Sequence, residues 1–324
     1  MAVTMRDVAR QAGVSVATVS RVLNESGPVG EGTRRRILQT AGALRYVPNG
    51  TARSLTTSTT ETIGVLLPNL YGEFYSEVIR GVEGAVRDRR YHTLLSSVHD
   101  GPAELVSALR TMVGRVDGLV VMSPDIEADV LRANLPAGLP VVLLGSAVTG
   151  HAAVTIDNRA GAAAMVRHLA ALGHRRIALV SGAAVNADAQ ARRAGYRAAV
   201  ADRGLDADPA LVLDGDFTEQ SGYLAGRALL DLDDRPTAVF AANDSMAIGA
   251  LRAFREAGLD VPGDVALAGF DDIPVAQFVT PALTSVHVPI HEMGALAVET
   301  VLADGDAGTT TLPTRLVVRE SCGG

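Results

Sequence analysis

Apolar positions in the first 45 residues recur every three to four residues, a spacing that predicts short amphipathic helices. We expect one helix over residues 5–12, capped by Thr4, and a second over residues 16–24, capped by Ser15. Gly13 can make the tight turn between them. Two short helices joined by a glycine turn are typical of the helix-turn-helix, whose second helix enters the major groove of DNA.

A third helix is predicted from Thr33 to about Leu44, with a basic run beside an apolar stripe that should be buried. The stripe consists of Ile37, Leu38, Ala41 and Leu44. It would complete a three-helix domain over residues 1–48. Residues 49–61 follow Pro48 and are expected to form a short hinge helix and linker. Because this segment is short and polar, we expect it to fold only on DNA.

Side chains on the predicted second helix suit a DNA groove. Arg21 can bind guanine through two hydrogen bonds, although it could also contact only phosphate, whereas Val16 and Ala17 offer apolar contact to thymine methyl groups. Short polar side chains nearby suit phosphates, and Leu55 in the hinge is a candidate wedge for the minor groove. The full set of predicted DNA contacts is Thr4, Ser15, Val16, Ala17, Thr18, Ser20, Arg21, Asn24, Tyr46, Asn49, Ala52, Arg53 and Leu55.

From Thr62 onward, short β-rich runs alternate with helical stretches, which is typical of parallel sheets with helices on both faces. The alternation occurs in two sets, the second beginning near Asn158. We therefore expect residues 62–324 to form one α/β domain of two doubly wound lobes. Ligands of such sheets bind beyond the carboxyl ends of the strands, so the two lobes should enclose a cleft.

The loops that follow the predicted strands carry aromatic, carboxylate, amide and guanidinium groups. A polyhydroxylated ring needs such donors and acceptors once it leaves water. The predicted effector-binding residues are Tyr71, Glu73, Phe74, Asp188, Arg192, Phe217, Asn243 and Asp244. Structural roles remain possible for them: Asp244 could cap its helix, Arg192 could pair within one lobe, and Phe74 could be part of the core.

Charge is unevenly distributed along the chain, whose formal net charge is −7. Residues 1–60 hold eight arginines and three acidic side chains, a net charge of +5, and the remainder carries −12. Positive charge is thus concentrated in the segment predicted to meet a polyanion. Such a small imbalance is also common on solvated surfaces, so charge alone does not establish DNA binding.

Several enzyme classes lack their reactive groups in this sequence. There is no lysine, which excludes a P-loop and Schiff-base chemistry, and no HExxH, GxGxxG or GxSxG motif occurs. The one cysteine, Cys322, has no disulfide partner and is expected to be a surface thiol. We predict no catalytic residue, cofactor or metal. No secretory signal or membrane span is evident, so we expect a cytoplasmic protein.

The run TMRDVARQAGVSVATVSRVLN, followed by YVPNGTARSL and TIGVLLPNLYGEFY, resembles the lactose-repressor (LacI/GalR) family of bacterial regulators. Later strings, including LGHRRIALVSG and AANDSMAIGALRAFREAGLDVPGDVALAGFDD, extend the resemblance over essentially the whole chain. It implies a homodimeric repressor that binds a palindromic operator with a deformable central step such as CG. It also implies a periplasmic-binding-protein-like effector domain, with an N-lobe at about 62–157 and 289–313 and a C-lobe at about 158–288 and 314–324.

The resemblance further implies that a small effector, a sugar or sugar derivative, controls DNA affinity. Arg192 and Asp244 match the usual polar effector contacts, and Phe74 and Phe217 match ring-packing positions. Many members have Asn-Pro-Phe-Phe after the first strand where this chain reads NLYGEFY, which leaves the effector open. Two alternatives remain: a regulator that responds to a nucleobase or nucleoside, and a sugar-binding protein without a regulatory role.

Overall fold

The structure, a computed structural model, describes residues 3–24, 26–47, 59–99, 101–303 and 307–323. The chain divides into two compact units, Met1–Glu61 and Thr62–Gly324. The predicted hinge contacts Asn49, Ala52, Arg53 and Leu55 lie outside the described residues.

The first unit contains three helices: α1 Met5–Ala12, α2 Val16–Leu23 and α3 Glu31–Ala43. Each helix contributes a side chain with no exposed surface to a common core, namely Val8, Val19 and Ile37. Leu38 was predicted to be buried but is half exposed. Successive residues on a helix point about 100° apart, so Ile37 occupies the inward position and turns Leu38 toward solvent.

Local hydrogen bonds begin α1 and α2 where the sequence predicts. The backbone N–H and hydroxyl of Thr4 donate to the carboxylate of Asp7 at 3.0 and 2.7 Å. Gly13 takes the left-handed conformation, at φ 64°, that the turn after α1 requires. The hydroxyl of Ser15 accepts from the backbone N–H of Thr18 at 3.1 Å and caps α2.

The N-lobe of the second unit is a six-stranded parallel sheet in the order β11-β5-β4-β3-β1-β2. Its strands are β1 Thr62–Leu67, β2 His92–Ser97, β3 Gly118–Val121, β4 Val141–Leu144, β5 Ala152–Ile156 and β11 Thr309–Leu312. Its helices are α4 Glu73–Asp88, α5 Pro102–Met112, α6 Ala128–Asn134 and α11 Ile290–Leu302. Apolar residues of α4 and α11 pack on one face of the sheet, and those of α5 and α6 pack on the other.

The C-lobe has the same architecture, with strand order β12-β10-β9-β8-β6-β7, in which β12 is antiparallel to β10. Its strands are β6 Ile177–Ser181, β7 Val212–Asp214, β8 Ala238–Ala241, β9 Ala266–Asp271, β10 Thr284–His287 and β12 Arg315–Val317. Its α-helices are α7 Asn158–Ala171, α8 Ala187–Arg203, α9 Glu219–Leu230 and α10 Asp244–Glu256. Short 3-10 turns occur at Pro209–Leu211, Pro274–Gln277 and Glu320–Cys322.

The described chain passes between the lobes after β5, after β10 and after β11. The predicted fold class, a helical headpiece with two doubly wound α/β lobes, is confirmed. Among the described helices, none combines the length and apolar character needed to cross a membrane.

The prediction of a surface thiol at Cys322 is wrong. The final 3-10 turn packs against the C-lobe sheet, and only 3% of Cys322 is exposed. Its sulfur lies 3.1 Å from the hydroxyl oxygen of Thr284 on β10. The end of the chain therefore completes the C-lobe core.

Glycines bring α4 and α11 into backbone contact. A Cβ atom added to Gly81 would lie 2.0 Å from the carbonyl oxygen of His291, and one added to Gly294 would lie 2.4 Å from that of Val78. No side chain fits at either position without separating the helices. Gly84, one turn after Gly81, has open space around its Cβ position.

Alanine at these two glycines of α4 should have opposite effects. We expect Gly81→Ala to lower the free energy of unfolding by about 1–3 kcal/mol through overpacking. Gly84→Ala should raise it by about 0.5–1 kcal/mol, because alanine favours the helix and nothing obstructs it. Urea unfolding of both variants checks this, and destabilisation by both would contradict the packing.

Candidate functional site

The N-terminal turn of α2 presents an exposed surface of the first unit. Ser15, Val16, Ala17 and Arg21 are exposed, and Val16 is one of the large apolar side chains that face solvent. The stem of Arg21 lies beside Gly27, whose Cβ position is 3.6 Å from the arginine Cδ. An exposed apolar pair with an arginine one turn later can meet the edges of bases.

The other described candidates for DNA contact surround that surface or support it. Thr18, Ser20, Asn24 and Tyr46 are partly buried, and Thr4 is exposed. The Asn24 amide donates to the Ser20 hydroxyl at 3.2 Å, and the ring of Tyr46 packs against the three-helix core. Among the described candidates, the exposed ones are thus Thr4, Ser15, Val16, Ala17 and Arg21.

In the second unit, the buried guanidinium of Arg192 on α8 is the centre of a polar network. Its Nε donates to Asn158 Oδ1 at 2.7 Å, one terminal nitrogen donates to the carbonyl of Ala242, and the other pairs with Asp271 at 3.0 Å. The guanidinium also lies 3.8 Å from the ring centroid of Phe270. We call Arg192, Asn158, Asp271 and Asp188 the Arg192 network.

Asp188, also on α8, joins this network through Asn158, whose amide donates to the Asp188 carboxylate at 2.7 Å. Burial raises the pKa of Asp188, while Arg192 and Asn158 oppose that shift. One asparagine side chain therefore bridges a cationic group and an anionic group. A ligand hydroxyl could donate to these carboxylates or accept from the amide.

Asp271 is a residue that the sequence analysis missed. It ends β9 with φ 100°, a strained conformation for a residue with a side chain. Burial, together with the nearby charge of Asp188, raises the pKa of Asp271 to about 6 against the opposing effect of Arg192. The signal for it was available, because two aspartates follow the buried strand VALAGF.

Tyr75 on α4 was missed as well. Its ring meets that of Phe74 edge-on, with centroids 5.4 Å apart. Burial raises the pKa of Tyr75 far above its usual value, and the carboxylates of Asp125, Asp271 and Asp188 add to the increase. The phenol therefore stays protonated and can donate a hydrogen bond toward this acidic region.

Asp244 does not face the cleft, so its prediction as an effector contact needs correction. Its side chain has no exposed surface. One carboxylate oxygen accepts from the hydroxyl of Ser285 at 2.6 Å, and the other accepts from the backbone N–H of Ile273 at 2.8 Å. Burial, followed by the charge of Asp271, raises the pKa of Asp244 well above its usual range. Asp244 fixes the loop that follows Asp271.

Asn243 and Phe217 form a second structural pair. Asn243 caps α10 by accepting from Met246 N at 2.9 Å, and its amide donates to the carbonyl of Phe217 at 3.0 Å. Phe217 has φ 68°, and its ring covers Gly182 so closely that a Cβ there would lie 2.2 Å from ring carbon Cζ. Asn243 thus positions an aromatic ring that is itself only partly buried.

Glu73 makes a contact between the lobes. At the start of α4 in the N-lobe, its carboxylate accepts from the backbone N–H of Val275 in the C-lobe at 2.8 Å. This contact occupies one of the oxygens that we predicted to bind the effector. Tyr71, two residues earlier, is 79% exposed, and its N–H donates to Asn69 in a local turn.

Two further hydrogen bonds join the lobes. The Asn186 amide donates to Asp125 Oδ1 at 2.8 Å, and the N–H of Ala187 donates to the carbonyl of Pro124 at 3.0 Å. Together with Glu73, they hold the lobes close at the edges of the region around the Arg192 network.

Removing the Glu73 carboxylate should expose the amide of Val275. We expect Glu73→Ala to accelerate hydrogen exchange at this amide by about fivefold, because a net hydrogen bond contributes about 1 kcal/mol. Glu83→Ala on the exposed side of α4 is the control and should exchange as the wild type does. Equal exchange rates of the Val275 amide in both variants would contradict its hydrogen bond to Glu73.

The raised pKa of Asp271 predicts a pH dependence of stability. Because its folded pKa of about 6 exceeds the usual 3.8, its contribution to stability is complete below pH 3.8 and is lost as pH rises through 6. From pH 5 to 7.5 the loss should be on the order of 1 kcal/mol. We expect Asp271→Asn to flatten this slope in urea unfolding, and Asp88→Asn to retain it. An unchanged slope in Asp271→Asn would exclude Asp271 as the titrating group.

Comparison with solved structures places this arrangement among known regulators. The structure superposes on the lac repressor dimer bound to operator and the anti-inducer ONPF with a TM-score of 0.90, at 29% identity over 99% of both chains. It also matches the complex of transcriptional regulator CelR with cellobiose, with a TM-score of 0.73 and 34% identity over 98% of this chain and 99% of that chain.

Family models and curated proteins agree with the structures. A model of bacterial regulatory proteins of the lacI family matches residues 4–49, and a model of a periplasmic binding protein-like domain matches residues 166–322. Catabolite control protein A of Priestia megaterium is 36% identical over 99% of both chains. The ribose operon repressor of Escherichia coli (strain K12) is 36% identical over 92% of both. The chain therefore belongs to the lacI family of bacterial regulatory proteins, which are transcriptional regulators and not enzymes, as its sequence predicted.

Proposed function

We propose that the chain is a cytoplasmic repressor that binds a palindromic operator as a homodimer. Its affinity for the operator falls or rises when a small effector enters the cleft. The observation that carries this proposal is the exposed turn of α2, with Val16, Ala17 and Arg21, on a segment of net charge +5. A cationic segment attracts DNA phosphates, and a helix that exposes such side chains at its start can read bases.

We assign one function to each of the segments predicted from the sequence. Residues 1–48 bind DNA, residues 49–61 form the hinge, and residues 62–324 bind the effector and the second subunit. Within the hinge, Leu55 enters the minor groove and Asn49, Ala52 and Arg53 lie against DNA. The N-lobe comprises about 62–157 and 289–313, and the C-lobe comprises about 158–288 and 314–324.

A homodimer follows from the proposed operator symmetry, because one headpiece covers only half of a palindrome. Two observations support it. The lac repressor bound its operator as a dimer in the structure compared above. The C-lobe of this chain also exposes large apolar side chains, with Phe278 77% and Leu224 58% exposed, that a second subunit could cover.

The chemistry of the cleft favours an uncharged, polyhydroxylated effector. Asp188 and Asp271 outnumber Arg192 in the network, and Asp125 lies close enough to affect Tyr75. This excess of carboxylates accepts hydrogen bonds from hydroxyls and disfavours phosphorylated ligands. A sugar fits these groups, with Phe217 as an apolar wall, and CelR with cellobiose is a related case.

One titration tests regulator and effector class together. Fluorescence anisotropy against a palindrome library with a central CG step should select one sequence at fixed salt. Its affinity should shift with one compound of a panel of sugars and nucleobases. A shift with a nucleobase instead of a sugar would replace the proposed effector class, and no sequence preference at any salt would reject the DNA-binding proposal.

Arg21 should account for a large part of sequence preference. We expect Arg21→Ala to weaken binding to the selected operator by about 5–150-fold, which corresponds to about 1–3 kcal/mol for a bidentate base contact. Arg10→Ala is the matched control, because Arg10 pairs with Asp7 on α1, and it should change operator affinity far less. Equal losses on operator and random DNA would mean that Arg21 contacts only phosphate.

A further inference from the structure

Three arginines line a groove of the C-lobe between the start of α7 and the middle of α8, and we call it the arginine groove. It has a volume of about 480 Å³, within the range of small-molecule sites. The lining that the structure describes contains no acidic side chain. It consists of Arg159, Gln190, Arg193, Ala194, Arg197 and Ala198.

The five lining residues on α8 follow the helical repeat, at one, three or four positions from each other, and therefore share one face of the helix. That face differs from the one that carries the Arg192 network. Arg197 is exposed, whereas Arg192 is only 4% exposed. Ala194 and Ala198 have small side chains, which leave room between the arginines.

A glycine brings the third arginine to this face. A Cβ atom added to Gly195 on α8 would lie 2.2 Å from the carbonyl oxygen of Arg159 on α7. Only glycine allows so close an approach of the two helices at this point. The side chain of Arg159 therefore lines the same groove as Arg193 and Arg197.

Two of the three guanidinium groups have no carboxylate partner in the part of the chain that the structure describes. Arg193 pairs with Asp214 at 3.1 Å, but neither Arg159 nor Arg197 forms an ion pair there. Asp157, two residues before Arg159, instead caps α7 by accepting from a backbone N–H at 2.8 Å. Arg193 and Arg197 lie one helical turn apart, where like charges repel each other. A bound anion would relieve this repulsion.

The chemistry of the groove favours a small phosphorylated ligand. Guanidinium groups present a planar fork of donors that matches the oxygens of a phosphate. A long polyanion is disfavoured, because residues 61–324 carry a net charge of −12 and would repel the parts of it outside the groove. A molecule small enough to remain within the groove meets only the arginines.

The groove is accessible in the proposed homodimer. Apolar residues of α7 and α8 pack on one face of the C-lobe sheet, and those of α9 and α10 pack on the other. Leu224, which we proposed as part of the surface that the second subunit covers, is on α9. The arginine groove lies on the opposite side of the sheet from that helix and stays open.

We propose that the arginine groove is a second ligand site, separate from the cleft, that binds a small molecule through its phosphate groups. Arg159 and Arg197 donate hydrogen bonds to the phosphate oxygens, and Arg193 adds positive charge. The carboxylates of the Arg192 network disfavour the same molecule in the cleft. Because α8 carries both sites, the two ligands contact opposite faces of one helix. This inference holds whether or not the effector in the cleft is a sugar.

Isothermal titration of the full chain with inorganic pyrophosphate tests the site. The ionic strength is kept at about 0.15 M, at which attraction between distant exposed charges is screened. We expect one pyrophosphate to bind per subunit. Arg159→Gln and Arg197→Gln should each weaken binding at least about tenfold, because each removes charged hydrogen bonds to the phosphate.

A matched control separates the groove from the overall charge of the protein. Arg255→Gln removes the same charge from an exposed position on α10 and should bind pyrophosphate as the wild type does. Glutamine and arginine have similar helix propensities, so all three variants should retain the urea midpoint of the wild type.

A titration with ADP distinguishes the two sources of a diphosphate group. Tighter binding of ADP than of pyrophosphate would assign the groove to an organic phosphate, and weaker binding would assign it to inorganic diphosphate. Random duplex DNA should bind Arg159→Gln and Arg197→Gln as tightly as it binds the wild type.

Three results would overturn the site. The first is no binding of pyrophosphate or ADP at millimolar concentration. The second is binding that Arg159→Gln and Arg197→Gln leave unchanged, because the anion would then lie elsewhere. The third is weaker binding of random DNA by these variants, which would make the arginines a nucleic-acid contact. None of these results changes the test of the operator or of the effector in the cleft.

Discussion

The buried guanidinium of Arg192 must be paired and hydrogen-bonded, and this requirement fixes the positions of the groups around it in the C-lobe. Arg192 is 4% exposed, and a charge removed from water is costly unless it is paired and hydrogen-bonded. Its partners come from three places: Asn158 at the start of α7, Ala242 after β8 and Asp271 at the end of β9. Because all three must converge on one guanidinium, the ends of these elements are held in a fixed relation.

The same constraint would make the proposed effector site responsive to a ligand. Asp271 and Asp188 lie near one cation while burial raises their pKa values, so added hydrogen-bond donors would stabilise their charged forms. Glu73, Asn186 and Ala187 make single hydrogen bonds across the lobes. An effector that bonds to both lobes therefore needs only a modest difference in affinity to shift their separation.

Sequence patterns were sufficient for the fold and for part of the site. Periodicity located α1 to α3, although it also placed the exposed Leu38 in the core, and the alternation of strands and helices located both lobes. The sequence pattern could not distinguish the roles of Asp244 and Asp271, two aspartates at or just after the ends of buried strands. Asp244 turns inward to hold Ser285 and Ile273, whereas Asp271 meets Arg192 through a positive φ that no sequence period encodes. Local sequence patterns also could not predict the contact of Glu73 with Val275, because 202 residues separate the two positions.

We infer that the Arg192 network senses the effector and thereby changes operator affinity. The most direct test is operator affinity with and without the effector found by titration, for the wild type and for Asp271→Asn. We expect the variant to bind operator as the wild type does without effector, and to lose most of the effector's influence on DNA binding. By linkage, operator should then also lose its influence on effector affinity. A full effector response in Asp271→Asn would contradict the claim.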